Sequence, residues 1–594
     1  MTTSLLAGWK RTCKCAEVTK AHLGEEITLM GWVAKARNLG QIIFVWLRDH
    51  TGLVQLVFDE TAAADVMALG EALRSEYVIA IRGVVRARAE KDVNHALATG
   101  ALEVVVREAK LFSSASTPPI YIDDDHPDES EAVRLKYRYL DLRRPSMQAV
   151  LRMRHRILKT LRRRFDDNGF CEIETPILTK STPEGARDFI VPSRIHPGEF
   201  YALPQSPQIY KQLSMLAGFD RYYQVARCFR DEDNRADRQP EFTQLDIEMS
   251  FVEPEDVMGV VEGAFQAVFS ELSLPVADKL ERVTWREVMD RYGSDKPDRR
   301  FGLELTDITD LAKTSVFSVF ETAAASGGTV RGINAKGCAA RLSRKEIDAL
   351  GEFVKGFGAK GLAWIALGED GMRSSFAKFL SEQAMADLLA RMDAKTGDAL
   401  FFVADTLATT RNALGQLRLE LGRKLDLIDK SRYDLFWVTE FPLYEVNEDG
   451  RLDAMHHPFT SVMDEDAALL DTNPADCRAK AYDLVLNGIE MGSGSIRIHS
   501  PELQNKMFEL IGLSAEDITH RFGFMLEAFR YGTPPHGGFA FGIDRLVMQA
   551  LGKESLRDVI AFPKVQNGSC LMMSCPSDVK QEQLDALKIK LALE

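Results

Sequence analysis

The densest chemistry in the 594-residue sequence lies between Tyr201 and Phe251. Two stretches there alternate with the two-residue period of a strand. In the first, Tyr222, Gln224, Ala226 and Cys228 share one face and Tyr223, Val225, Arg227 and Phe229 the other. In the second, Phe242, Gln244, Asp246 and Glu248 set a stacking ring, an amide and two carboxylates against Thr243, Leu245, Ile247 and Met249. That combination suits the wall of a substrate pocket built on a sheet. Arg230 to Pro240, between the two stretches, is too polar to bury and closes with a proline, so the pair should form a long hairpin. A second stretch with chemical content is Ala481 to Ile498, read as strand, glycine-rich bend and strand, which carries Asp483 and Glu490; its small residues allow backbone to approach a ligand closely.

Phe229-Arg230-Asp231-Glu232, followed by a polar loop and Phe242-Thr243-Gln244-Leu245-Asp246, resembles motif 2 of class II aminoacyl-tRNA synthetases. Gln205-Ser206-Pro207-Gln208 with Lys211 resembles the amino-acid loop of the aspartyl-tRNA synthetase family. Gly169 to Pro176 after a long helix resembles motif 1, and Gly537-Gly538-Phe539-Ala540-Phe541-Gly542-Ile543-Asp544-Arg545 resembles motif 3. The three occur in the family's order, and the resemblance covers essentially the whole chain, with the bacterial type of aspartyl-tRNA synthetase nearest.

The resemblance implies a multidomain α+β protein with six segments. They are an OB-fold anticodon-binding barrel (1–119), a hinge (120–144), the first part of a class II catalytic domain (145–297), an inserted α+β module of the GAD type (298–425), the rest of the catalytic domain, an antiparallel sheet flanked by helices (426–562), and a C-terminal extension (563–594). The implied reaction joins L-aspartate and ATP to an adenylate, then transfers aspartate to tRNA. Two anions must meet in the first step, so arginines and a metal are called for.

By resemblance Arg230 bridges the aspartate carboxylate and the α-phosphate, Glu232 and Gln239 contact ATP, Phe242 stacks the adenine, and Arg545 covers its other face. Asp231, Glu490, Gly542, Ile543 and Asp544 complete the ATP set. Glu184, in a loop that closes over the amino acid, holds the ammonium group; Ser206, Gln208, Lys211, Asp246, His456 and Arg497 complete the aspartate set. Asp483 and Glu490 would hold Mg2+, which takes oxygen ligands and commonly one or two carboxylates with phosphate oxygens. Arg230, Glu232 and Arg545 form the implied catalytic set. Each has a plainer reading: Arg545 as a surface helix residue, Asp483 and Glu490 as strand-end acids, His456 as a loop histidine.

A β-carboxylate calls for fixed cations, which Lys211 and Arg497 would supply, with Asp246 and Gln208 ordering them and the ammonium end. Asparagine would leave those cations incompletely neutralised. An asparaginyl enzyme and an inactive tRNA-binding paralogue are the alternatives; the presence of Arg230, Glu232, Asp483, Glu490 and Arg545 disfavours the second.

Length places three or more domains in the chain. A composition of 45% hydrophobic and 27% charged residues is that of a soluble globular protein. Absence of an apolar span or signal segment excludes a membrane or secreted protein and implies the cytoplasm. The eight scattered cysteines read as reduced thiols. A net charge of −14 argues against a nucleic-acid partner only superficially, because phosphate attraction is screened within about 8 to 10 Å. Arginines cluster between Arg134 and Arg164, as a phosphate-facing patch or as solvated helix faces.

Five strands, with a helix at 61–75 between the third and fourth, have the OB-fold order, and such barrels stack bases on exposed aromatics. The resemblance implies Phe44 as the platform for the middle anticodon base, Gln55 as its reader and Arg37 beside them. Trp46 departs from the family pattern, as does Ser493, where relatives carry glycine. Leu39 and Gly40, at the turn facing the third base, bear on whether tRNA(Asp) alone or also tRNA(Asn) is charged, and Leu39 favours discrimination. A homodimer is implied through motif 1.

Overall fold

The computed structural model describes residues 6–126, 129–182, 186–313, 317–447 and 449–592. They divide into two compact units. The first comprises Met1–His155, Asp233–Gln239 and Lys553–Val579; the second comprises Arg156–Glu232, Pro240–Gly552 and Lys580–Glu594.

In the first unit Glu26–Asn38, Ile43–Asp49, Gly52–Phe58, Val78–Ala87 and Leu102–Ser113 close into a barrel. The fifth strand lies between the third and the fourth, and the helix Ala64–Ala72 precedes the fourth. Period-two alternation builds it: Val45, Leu47, Val54, Leu56, Ile79, Ile81, Val104 and Val106 point inward and are buried. Phe44 and Trp46 alternate with them and stay half-exposed.

The connector after the barrel, too polar to build a core, is organised by ion pairs. Arg48 and Arg143 both donate to Glu76 at 2.7 Å. Arg138 reaches Asp141 at 2.6 Å and the carbonyls of Arg557, Ile560 and Ala561. The expected arginine patch is therefore largely committed within the protein. Arg144 pairs with Glu129, Arg156 with Glu271 and Arg162 with Glu172. These arginines sit beside acids that neutralise them.

The second unit holds an eight-stranded sheet in the order Glu281–Thr284, Leu435–Thr439, Ala481–Leu486, Ile489–Ile496, His536–Gly542, Glu241–Ser250, Arg221–Phe229, Cys171–Glu172. The outermost pair at each edge is parallel and the inner neighbours are antiparallel. The helix Pro254–Glu271 buries Val257, Val261, Phe265 and Val268. A second, five-stranded sheet spans Leu305–Asp307 to Ala399–Asp405 with a core on each face, one around Ile333, Phe401 and Leu417 and the other around Phe320, Phe376 and Phe402.

The eight cysteines are free. No helix among the described residues is long and apolar enough to cross a membrane.

Candidate active site

Four neighbouring strands of the large sheet and one helix position the polar cluster. The strand Glu241–Ser250 lies between Arg221–Phe229 and His536–Gly542, with Asp246 opposite Gln224 and Ala540, and Glu248 opposite Tyr222 and Gly538. Leu245, Ile247 and Met249 are buried on its other face, so the alternation seen in the sequence decides which side chains face the site. Gly538 is required here: a Cβ would overlap the Glu248 carboxylate. The helix Gln208–Leu216 turns Gln208, Lys211, Gln212 and Met215 inward, the spacing of one helical face.

Lys211 Nζ donates to Asp246 Oδ1 at 3.0 Å and stands 3.6 Å from Glu248. Arg497 grips Glu248 through two N–H groups, at 2.8 and 3.2 Å. Its Nη1 donates to His457 Nε2 and Ser495 Oγ, both at 2.7 Å. These bonds engage four of the five guanidinium N–H groups. Lys211, Asp246, Glu248 and Arg497 are at most 2% exposed, two cations against two anions. Removal of such charges from water is tolerable only because each has a partner. Burial pushes the Asp246 carboxyl upward more than Lys211 pulls it down. Burial acts on Glu248 as well, but Arg497 and then Lys211 outweigh it and hold that carboxyl low. The difference is geometric, since Glu248 has two cations whereas Asp246 Oδ2 is buried with no hydrogen-bond partner.

Two expectations about this cluster need correction. Asp246 orders Lys211 as expected, but the carboxylate that orders Arg497 is Glu248, and it takes the paired edge of the guanidinium expected to meet the substrate. Gln208 contacts neither cation; it donates to Gln212, which meets His536 Nε2 at 3.2 Å. His456 was singled out in the sequence, yet its neighbour His457 touches Arg497. His456 packs edge-on against Phe441 with its buried Nε2 unpartnered. Burial drives both imidazoles toward the neutral form.

The nucleotide residues are partly assembled. Arg230 lies over the Phe242 ring at 5.1 Å, and its backbone N–H meets Pro240. Arg545 Nη1 donates to the Glu490 carbonyl at 3.0 Å. Gly542 precedes the helix Ile543–Ala550, in which Ile543 and Asp544 are buried. The Asp544 carboxylate takes the Thr243 N–H at 2.9 Å, tying that helix to the 241–250 strand. The Asp231 N–H donates to the Arg187 carbonyl at 3.1 Å across an isolated bridge, and Glu232 is exposed. Ser206 Oγ accepts the Gln208 N–H. Gln239 belongs to the first unit, where both ends of its buried amide are taken by the Lys564 backbone. Glu184 lies outside the described residues.

Asp483 and Glu490 come from adjacent strands whose register slips between Leu484 and Val485, the kind of bulge that re-aims side chains at a site. Asp483 is 6% exposed and its Oδ1 is buried without a partner. Burial first, then the charges of Glu490 and Asp295, push its carboxyl well up, and Lys296 offsets only part of this. Lys296 Nζ lies 3.5 Å from Glu490 and 3.7 Å from Asp295. An acidic pair with an unsatisfied oxygen fits a hard cation with oxygen ligands. No group of three or more side chains placed to hold a metal ion occurs among the described residues.

In the barrel, Arg37 lies opposite Phe44, and Trp46 opposite Gln55. Gln55 is 5% exposed and its amide nitrogen donates to Glu103 at 2.9 Å. Leu39 is 57% exposed beside Gly40, whose φ of +90° suits glycine.

Residues 130–566 match the family model described as tRNA synthetases class II (D, K and N), and residues 27–112 match the OB-fold nucleic acid binding domain. The chain is 56% identical to the aspartate–tRNA ligase of Ruminiclostridium cellulolyticum over 99% of each. This chain belongs to the aspartate–tRNA ligase family of class II synthetases. It is also 54% identical to the aspartate–tRNA ligase of Bacillus licheniformis, over 98% of each, and 53% identical to the aspartate–tRNA(Asp/Asn) ligase of Lachnoclostridium phytofermentans, over 99% of this chain and 98% of that one. Among solved structures, aspartyl-tRNA synthetase from Entamoeba histolytica matches with a TM-score of 0.56 at 20% identity, covering 94% of this chain and 92% of that one. Asparaginyl-tRNA synthetase from Pyrococcus horikoshii complexed with asparaginyl-adenylate matches at 0.57 and 18%, covering 93% and 98%. At those identities the likeness is one of fold. Ligases of the aspartate–tRNA family act on aspartate, ATP and tRNA, and the relatives' names favour aspartate over asparagine.

Proposed function

We propose that the chain activates L-aspartate with ATP, giving aspartyl-adenylate and pyrophosphate, and then transfers aspartate to the 3′ end of tRNA(Asp). The observation that carries this reading is the buried cluster in which Lys211 and Arg497 are held by Asp246 and Glu248. The two cations read the substrate β-carboxylate. Asp246, with one buried oxygen unpartnered, takes the ammonium group, with Gln208, Ser206 and Glu184 in support. A neutral asparagine amide leaves the cations under-neutralised.

Arg230 neutralises the aspartate α-carboxylate and the α-phosphate as they approach. Its place over Phe242 makes the phosphate subsite adjacent to the ring that stacks adenine. Arg545 covers the other adenine face, with the Gly542–Ile543 backbone beside it, and Asp231 and Glu232 border the nucleotide. Asp483 and Glu490 hold Mg2+, which when bound supplies positive charge for the phosphates. The α-carboxylate oxygen attacks the α-phosphorus and pyrophosphate leaves. Exclusion of water and fixed cations lower the cost of bringing two anions together.

The barrel binds the anticodon, with Phe44 stacking the middle base and Gln55 and Arg37 reading it. Leu39 and Gly40 face the third base and restrict charging to tRNA(Asp) over tRNA(Asn). The enzyme works in the cytoplasm as a homodimer joined near the motif 1 strand Cys171–Glu172, which lies at a sheet edge and so has a side available for pairing.

The test is aspartate- and Mg2+-dependent exchange of pyrophosphate into ATP without tRNA, followed by aspartylation of tRNA(Asp) and tRNA(Asn) transcripts side by side. Exchange by the parent and none by Arg230→Ala is expected. No exchange in the parent contradicts the activation reading, and equal charging of both transcripts contradicts the role given to Leu39.

A further inference from the structure

Lys296 lies outside every motif named above, yet its ammonium stands 3.5 Å from Glu490 and 3.7 Å from Asp295. Beside it Asp483 is buried with an unpartnered oxygen. One ammonium thus faces three carboxylates, with more negative than positive charge among these four side chains. Its side chain is 46% exposed, so the amine sits at the mouth of the acidic site and is free to move when another cation enters. A mobile amine on a flexible stem is the right device for that, because it is a compact charge with no fixed coordination geometry.

We propose that Lys296 is a resident counter-cation of the Asp483–Glu490 pair, and that it keeps the pair's affinity for a free divalent ion low until the ion arrives with nucleotide phosphates. The inference rests on the assignment of Asp483 and Glu490 as the metal-holding carboxylates. A divalent ion entering alone must approach a fixed positive charge and displace it from Glu490. An ion entering with ATP brings phosphate oxygens that attract the same ammonium, so the repulsion becomes an attraction. Lys296 is therefore a positioning residue that couples metal binding to nucleotide binding. Coupling of this kind is reciprocal by thermodynamic necessity.

The test uses the full chain without ATP and Mn2+ as the probe, with free Mn2+ measured by electron paramagnetic resonance. Removing a unit charge a few ångströms from a partly exposed site should tighten Mn2+ binding by roughly fivefold or more in Lys296→Met, while Lys296→Arg stays near the parent. Asp483→Asn should lose the binding. With a non-hydrolysable ATP analogue present, the advantage of Lys296→Met should shrink or reverse. Mn2+ affinity unchanged or weakened in Lys296→Met, with Asp483→Asn still losing it, overturns the role of Lys296 and leaves the metal site standing. Equal binding by the parent and Asp483→Asn overturns the metal assignment itself, and the inference with it. Lys296 is half-exposed and forms no part of a core, so both of its variants should fold.

Discussion

Two acidic clusters in the second unit are built from the same residue types with opposite bookkeeping. Around Lys211 and Arg497, two carboxylates balance two cations, and Glu248 is gripped from two sides. Around Asp483 and Glu490, three carboxylates share one half-exposed lysine, and a buried oxygen stays without a partner. The first cluster is balanced in charge as folded, with one Asp246 oxygen left over for a substrate group, and is suited to read a substrate by shape and charge. The second is incomplete and is suited to receive a cation. Burial is similar at Asp483 and Glu248; the number of cations beside each carboxylate separates them.

That contrast predicts substitutions of opposite sign. Glu248→Gln strands Arg497 and should destabilise the protein by about 3 to 5 kcal/mol, the usual effect of removing one member of a buried ion pair. Its folded carboxyl is held below the ordinary 4.5, so its stabilisation is present above that pH and is lost as pH falls below it. Urea unfolding of both proteins should show a gap that is full at neutral pH and closes below about pH 4.5. A gap that widens on acidification would contradict the pairing.

Asp483→Asn should do the reverse and on a smaller scale. Replacing an unpartnered buried carboxylate with a neutral amide should raise the unfolding midpoint of the metal-free protein, by about 1 kcal/mol. Aspartate-dependent exchange should nonetheless fall. Loss of stability comparable to that of Glu248→Gln would mean that Asp483 is paired after all, and the contrast between the clusters would collapse.

Much of this was legible in the sequence because the polar and apolar faces of the strands differ so sharply. The two alternating runs at 222–229 and 242–249 became Arg221–Phe229 and Glu241–Ser250, and the five expected strands with a helix between the third and fourth became the barrel. Residue type was legible where partner was not. Nothing in an isolated sequence says that Arg497 will choose Glu248 over Asp246, since the chosen acid is 249 positions away. A signal was available in part: Glu248 shares a face with Asp246, and Gly538 stands opposite, a glycine leaving room for a carboxylate. Nor does the sequence say that the Gln239 amide meets the backbone of Lys564 or that the Asp544 carboxylate meets the backbone of Thr243. It does not say either that His457, and not the adjacent His456, touches Arg497, because adjacent histidines differ only in the direction the chain gives them.

The most direct test of the account is the ratio of catalytic efficiencies for aspartate and asparagine, measured by pyrophosphate exchange in the parent protein and in Arg497→Leu. Arg497 and Lys211 together should make the parent prefer aspartate by orders of magnitude. Loss of the charge-assisted contact, on the order of 2 to 5 kcal/mol, should collapse most of that preference in the variant. A ratio unchanged between the two proteins would contradict the claim that this buried cluster reads the β-carboxylate.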